Sequence, residues 1–150
     1  TSNDYPFQPG IPQQQLDQHE KELQVSIEED NKEEYIQKMK DHASALGDQL
    51  NKFSDLFGNP QFDDENWRID LAVVITEIAR LSKEPEDFTP PQEYQETHQI
   101  YLDAMQDYQT AMEMLPNALD EMDTDKIQQV TSSMDNALSK LKVVHERLPQ

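Results

Sequence analysis

The sequence contains no cysteine. That one absence excludes disulfide scaffolds, thiolate zinc sites, iron–sulfur clusters and cysteine nucleophiles. Glycine is almost as scarce. Gly10, Gly47 and Gly58 are the only three, too few and too scattered for a phosphate-cradling loop or the elbow that presents a catalytic serine. No apolar run approaches the roughly 20 residues that cross a bilayer. Positive charge is also short: 12 Lys and Arg stand against 31 Asp and Glu, for a net charge of -19. Such a surface repels phosphate backbones and anionic headgroups, so direct contact with nucleic acid or membrane is not expected. A protein partner, basic in character, suits it better.

What the sequence does have is helical periodicity. Its 150 residues are enough for one core that needs no metal or disulfide. Residues 1–14, TSNDYPFQPGIPQQ, are rich in Pro and Gln and read as a flexible leader. Residues 15–150 read as a helical bundle domain. A short helix over about 13–29 carries Leu16, Leu23 and Ile27. The run Glu28–Glu34 holds no apolar residue. Asn31 followed by Glu34 there has the form of a capping box, so a break is expected, with one continuous bent helix as the alternative.

The next stripe is Ile36, Met39, Ala43, Leu46, Leu50, Phe53 and Phe57, in steps of three and four. Gly58-Asn59-Pro60 should end it, with the glycine in a left-handed cap. A third helix begins near Asp63 or Asp64 and carries Trp67, Leu71, Val74, Ile78 and Leu81. As the most apolar segment, it should be the most buried. Thr89 and Pro90 read as the N-cap and first turn of a fourth helix. Its seam is Tyr94, His98, Tyr101, Met105, Tyr108, Met112, Leu115, Leu119 and Met122, and it keeps phase across Pro116. After Asp123-Thr124-Asp125 a last helix carries Ile127, Val130, Met134, Ala137, Leu141, Val144 and Leu148. The expected fold is all-α: an antiparallel up-and-down helical bundle of four main helices plus a short N-terminal one.

No constellation for chemistry emerges. A di-iron bundle needs a carboxylate three residues before a histidine. The residues three before His19, His42, His98 and His145 are Leu16, Met39, Gln95 and Lys142. A calcium loop opening at Asp123 fails, since its sixth and twelfth positions are Gln128 and Met134. No catalytic residue, cofactor or metal site is therefore expected. His98, seated in the seam, should be a core-edge histidine bonded to a tyrosine or carboxylate. The tyrosines at 94, 101 and 108 either line a ligand cavity or, by the commoner use, fill the core.

The acidic stretch is less ordinary. Glu84 to Asp125 holds twelve acidic residues and no lysine or arginine. Glu96, Asp103 and Asp107 share one face of the fourth helix. Together with Glu93 they form a candidate docking surface for a basic partner, against the simpler use of a solvated face.

Thr89-Pro90-Pro91 followed by Tyr94 and His98, Trp67 in the preceding helix, and Ala118-Leu119-Asp120-Glu121 together resemble the helical domains of small Gram-positive surface lipoproteins, over residues 15–148. The resemblance implies an extracellular, membrane-anchored place and no reaction. The lipid-bearing cysteine of such proteins is absent from this chain, which opens on Thr1 rather than methionine; the leader would then be a tether. The competing expectation is a cytoplasmic acidic inhibitor that mimics nucleic acid toward a basic protein.

Overall fold

Glu, Gln, Lys, Met and Leu cost little in a helix, and they supply 60 of the 150 residues. The computed structural model describes residues 13–149. Of these, 88% are helical and none is in a strand, as expected of an all-α bundle. Helix α1 spans Gln13–Gly58, α2 Glu65–Leu81, α3 Gln95–Asp120 and α4 Thr124–Arg147. Short 3-10 turns at Glu84–Asp87 and Gln92–Tyr94 join α2 to α3.

Side-chain bonds fix the directions. Trp67 Nε1 donates to the Leu56 carbonyl at 3.0 Å, and His42 meets the Leu81 carbonyl at 2.6 Å, so α2 runs back along α1. Asp107 pairs with Lys140 and Glu96 with Arg147, so α4 runs back along α3. Helix α3 packs most extensively, on α4 and also on α2. Its heptad buries His98, Tyr101, Met105, Tyr108, Met112 and Leu115. Pro116 lies inside α3, which continues past it to Asp120.

The structure departs from the sequence reading in several places. The short N-terminal helix is not separate: α1 runs unbroken through Glu28–Glu34 for 46 residues. That segment lacks Gly and Pro, and its glutamates and lysine propagate helix well, so one Asn does not stop it. Asn31 caps nothing, because the backbone it would cap is already inside a helix. Of the leader expected over 1–14, residues 1–12 lie outside the described residues, and Gln13 and Gln14 are already helical. Gly58 closes α1 without a left-handed φ.

Helix α2 begins as expected, with the Asp64 carboxylate accepting from the Asn66 N–H at 3.0 Å. It is not the most buried helix, however. Ile69 and Val73 face solvent, because α2 is covered only where α1 and α3 touch it. Thr89 does not cap α3 either. Each residue before a proline is pushed out of the helical region, so Thr89-Pro90-Pro91 stays extended and α3 starts only at Gln95.

Met122 leaves the seam. It sits in the left-handed region at φ 50 and is exposed. Around it the Asp123 N–H bonds to the Ala118 carbonyl and the Met122 N–H to the Leu119 carbonyl, a Schellman closure that glycine fills at least cost. Met122→Gly is expected to stabilise the fold by about 0.5–1 kcal/mol, measured as a higher urea midpoint at unchanged slope. The Asp123 carboxylate then caps α4, accepting from the N–H groups of Asp125 and Lys126.

Candidate functional site

The upper half of the core holds two Tyr–His pairs that cross between α1 and α3. Tyr35 on α1 donates its hydroxyl to His98 Nδ1 on α3 at 2.7 Å. Tyr101 on α3 donates to His42 Nδ1 on α1 at 2.5 Å. The other nitrogen of each ring faces a carbonyl that can only accept: Leu81 for His42, at 2.6 Å, and Pro85 for His98, at 3.0 Å. Each Nε2 therefore carries the proton, and each Nδ1 is the acceptor. Both rings are neutral, and burial holds their pKa values below the ordinary 6.5.

His98 is thus the tyrosine-bonded core histidine expected of it. Tyr35 and His42 lie outside the apolar stripe that the sequence offers for α1. They recur seven residues apart, in step with Met39 and Leu46, but a polar label hides them from a hydropathy pattern. Among the described residues no buried polar side-chain atom lacks a partner.

These pairs seat α1 on α3 and on the α2–α3 connector. They do not draw α1 against α4. Between those two helices lies an apolar groove of about 850 Å³. One wall is Met39, Ala43, Leu46, Gly47 and Leu50 of α1. The other is Met134, Leu138 and Leu141 of α4 with Leu148 just past its end. Tyr101 and Tyr108 lie between them, so two of the three heptad tyrosines are both core and lining. Tyr94 is elsewhere, stacked on Tyr35.

The groove exists because α4 carries a wider apolar arc than one seam needs. Val130, Ala137 and Val144 are buried, while Met134, Leu141 and Leu148 are only half-covered and Leu138 is 46% exposed. Gly47 widens the opposite wall. A Cβ added there would meet nothing within 4 Å, although a mid-helix glycine costs about 1 kcal/mol relative to alanine. Gly47→Ala is accordingly expected to raise stability by about 1 kcal/mol, read as a higher thermal midpoint.

Of the acidic candidates, Glu93, Glu96 and Asp103 are exposed and Asp107 is half-buried. Glu93 bonds Lys32 of α1 at 3.2 Å, Glu96 approaches Arg147 at 3.6 Å, and Asp107 holds Lys140 at 2.7 Å. Asp103 accepts from the Gln99 amide at 3.3 Å. Glu96, Asp103 and Asp107 share one stripe of α3; Glu96 and Asp107 pair with residues of α4, and Glu93 with a residue of α1. The basic residues they engage lie far away in sequence. Among the described residues no group of three or more His, Asp or Glu side chains is placed to hold a metal, and no helix is long and apolar enough to cross a membrane.

Residues 29–141 match the model of a family described as a domain of unknown function, DUF7018. The chain belongs to that family. The DUF7018 match takes in both Tyr–His pairs, Gly47 and most of both groove walls. It stops short of Val144 and Leu148 and begins beyond the first turns of α1. No curated protein and no solved structure matches the chain.

Proposed function

We propose that this DUF7018 protein is a non-enzymatic binding module that captures an amphipathic helix of a protein partner in the groove between α1 and α4. The observation that carries this reading is the groove itself: two walls of apolar residues at helical steps with no helix between them. The wall from Met39 to Ser54 corresponds to about 22 Å of helix, or roughly four turns. Leucines spaced along one face of a docked helix would meet Ala43, Gly47 and Leu50 on one side and Met134, Leu138 and Leu141 on the other, above the buried Met39 and Leu46. The net charge of -19 favours a helix with basic edges, which speeds encounter more than it deepens affinity.

The acids at 93, 96, 103 and 107 act in this reading through the field, and Glu93, Glu96 and Asp107 also through ion pairs. The place of action is proposed to be extracytoplasmic, with the chain anchored as a lipoprotein. That rests on the resemblance at Thr89-Pro90-Pro91, Tyr94 and His98, and an upstream coding sequence with a signal peptide and a cysteine would bear it out.

The test uses a labelled amphipathic helical peptide of about 16 residues with leucines on one face and lysines at the edges. Gly47→Trp should fill the groove and Leu138→Asp should put charge in its wall. Each should weaken binding at least about tenfold, or about 1.4 kcal/mol. Gly47→Ala should bind as the parent does. The combined amide variant Glu93→Gln, Glu96→Gln, Asp103→Asn, Asp107→Asn should lower the association rate and its salt dependence. If Gly47→Trp binds as tightly as the parent, the groove is not the site.

A further inference from the structure

Residues 13–31 of α1 are exposed throughout, so this part of the helix is an arm that projects past the bundle. Its stability is not supplied by packing, yet it carries a stripe. Leu16, Glu20, Leu23, Ile27, Asp30 and Glu34 follow in steps of four, three, four, three and four. That is the spacing of a coiled-coil seam. The apolar members are unpartnered: Leu16 is 40% exposed, Leu23 52% and Ile27 58%. The other three positions of the seam are acids.

The acids decide what covers it. In a parallel pair of two such arms, Glu20, Asp30 and Glu34 would each face their own copy. In an antiparallel pair centred between Leu23 and Ile27, Glu20 would face Asp30 twice. Either arrangement places carboxylate against carboxylate in the seam. Residues 13–34 hold eight acids and two lysines, so the flanks repel as well. A second copy is therefore excluded by the same stripe that calls for a partner.

We infer that the arm is a second docking surface, made for a basic helix of another protein that sets apolar residues against Leu16, Leu23 and Ile27 and lysine or arginine against Glu20, Asp30 and Glu34. This does not rest on the groove. The two surfaces lie on different stretches of α1.

The test uses the full chain and a designed helix of about three heptads, with leucines and lysines in the complementary order. A control helix keeps the same composition but exchanges the leucine and lysine positions of the seam. The designed helix should bind at least about tenfold more tightly than the control. Leu23→Asp with Ile27→Asp in the chain should abolish that preference while leaving the thermal midpoint and helical content of the bundle unchanged, because both positions are exposed. Gly47→Trp should leave it intact, which separates failure of this inference from failure of the groove reading. Sedimentation velocity should show no arm-dependent self-association. Equal binding of the designed and control helices would overturn the inference. So would a dimer of the parent chain that Leu23→Asp dissolves.

Discussion

His42→Leu is expected to destabilise the protein by about 3 kcal/mol. The substitution keeps most of the volume beside the Phe88 ring, 6.0 Å away between centroids, but it removes both polar partners of the ring. The Tyr101 hydroxyl and the Leu81 carbonyl would be left buried, and an unsatisfied buried group costs about 1–3 kcal/mol. Tyr101→Phe alone should cost less, about 1–2 kcal/mol, since only His42 Nδ1 loses its donor. The double variant should be more stable than the two losses summed, by about 1 kcal/mol or more, because the phenylalanine no longer brings a hydroxyl to strand. Urea unfolding of the four chains at one slope measures the cycle. Strict additivity would mean that the two side chains are neighbours without being coupled.

The second large effect is a stability that falls on both sides of neutrality. On the acid side, the folded chain keeps His42 and His98 neutral with pKa values held below 6.5 by burial, while the unfolded chain protonates them near 6.5. Their contribution is complete above about pH 6.5. It shrinks as pH falls through the lowered values, with a slope of at most about 1.4 kcal/mol per pH unit for each ring.

On the alkaline side, burial raises the phenols of Tyr35 and Tyr101 above their ordinary 10, and pushes Tyr108 up to about 12 with help from Asp107. The unfolded chain releases those protons first. Stability is therefore full below about pH 10 and is lost as pH rises through the folded values. Denaturant midpoints at pH 5, 7.5 and 10.5 should trace a dome. His42→Leu and His98→Leu should flatten its acid limb, and phenolate absorbance from the buried tyrosines should appear together with unfolding.

The legible parts of this fold were those carried by apolar periodicity alone. Trp67 to Leu81 and His98 to Leu115 can be placed from sequence because leucine, methionine, valine and aromatic side chains repeat at one phase. Tyr35 and His42 were missed because their burial depends on partners 63 and 59 residues away, and a hydropathy pattern scores such residues as polar. The continuity of α1 is left open by the charged run Glu28–Glu34, and the structure decides it: only glycine, proline or a satisfied cap stops a helix, and that run has none.

The groove was hidden for a different reason. Ala137 and Leu138 are adjacent, so α4 had two stripes to offer, and only packing decides which of them α3 takes. The extra Leu138 beside a complete seam was the available signal. The acidic positions 93, 96, 103 and 107 were found as residues. That three of them hold lysines and an arginine from α1 and α4 is a property of the tertiary fold.

The groove is tested most directly by methyl resonances of methionine. The sequence places its six methionines usefully. Met39 and Met134 line the groove, Met105 and Met112 are buried in the α3 seam, Met114 is half-buried, and Met122 is exposed at the turn before α4. With methionine methyl groups labelled, the amphipathic leucine–lysine peptide should shift the Met39 and Met134 signals in a saturable way and leave Met105, Met112, Met114 and Met122 in place. The same titration on Gly47→Trp should move none of them. Saturable binding that leaves Met39 and Met134 unmoved would contradict the account.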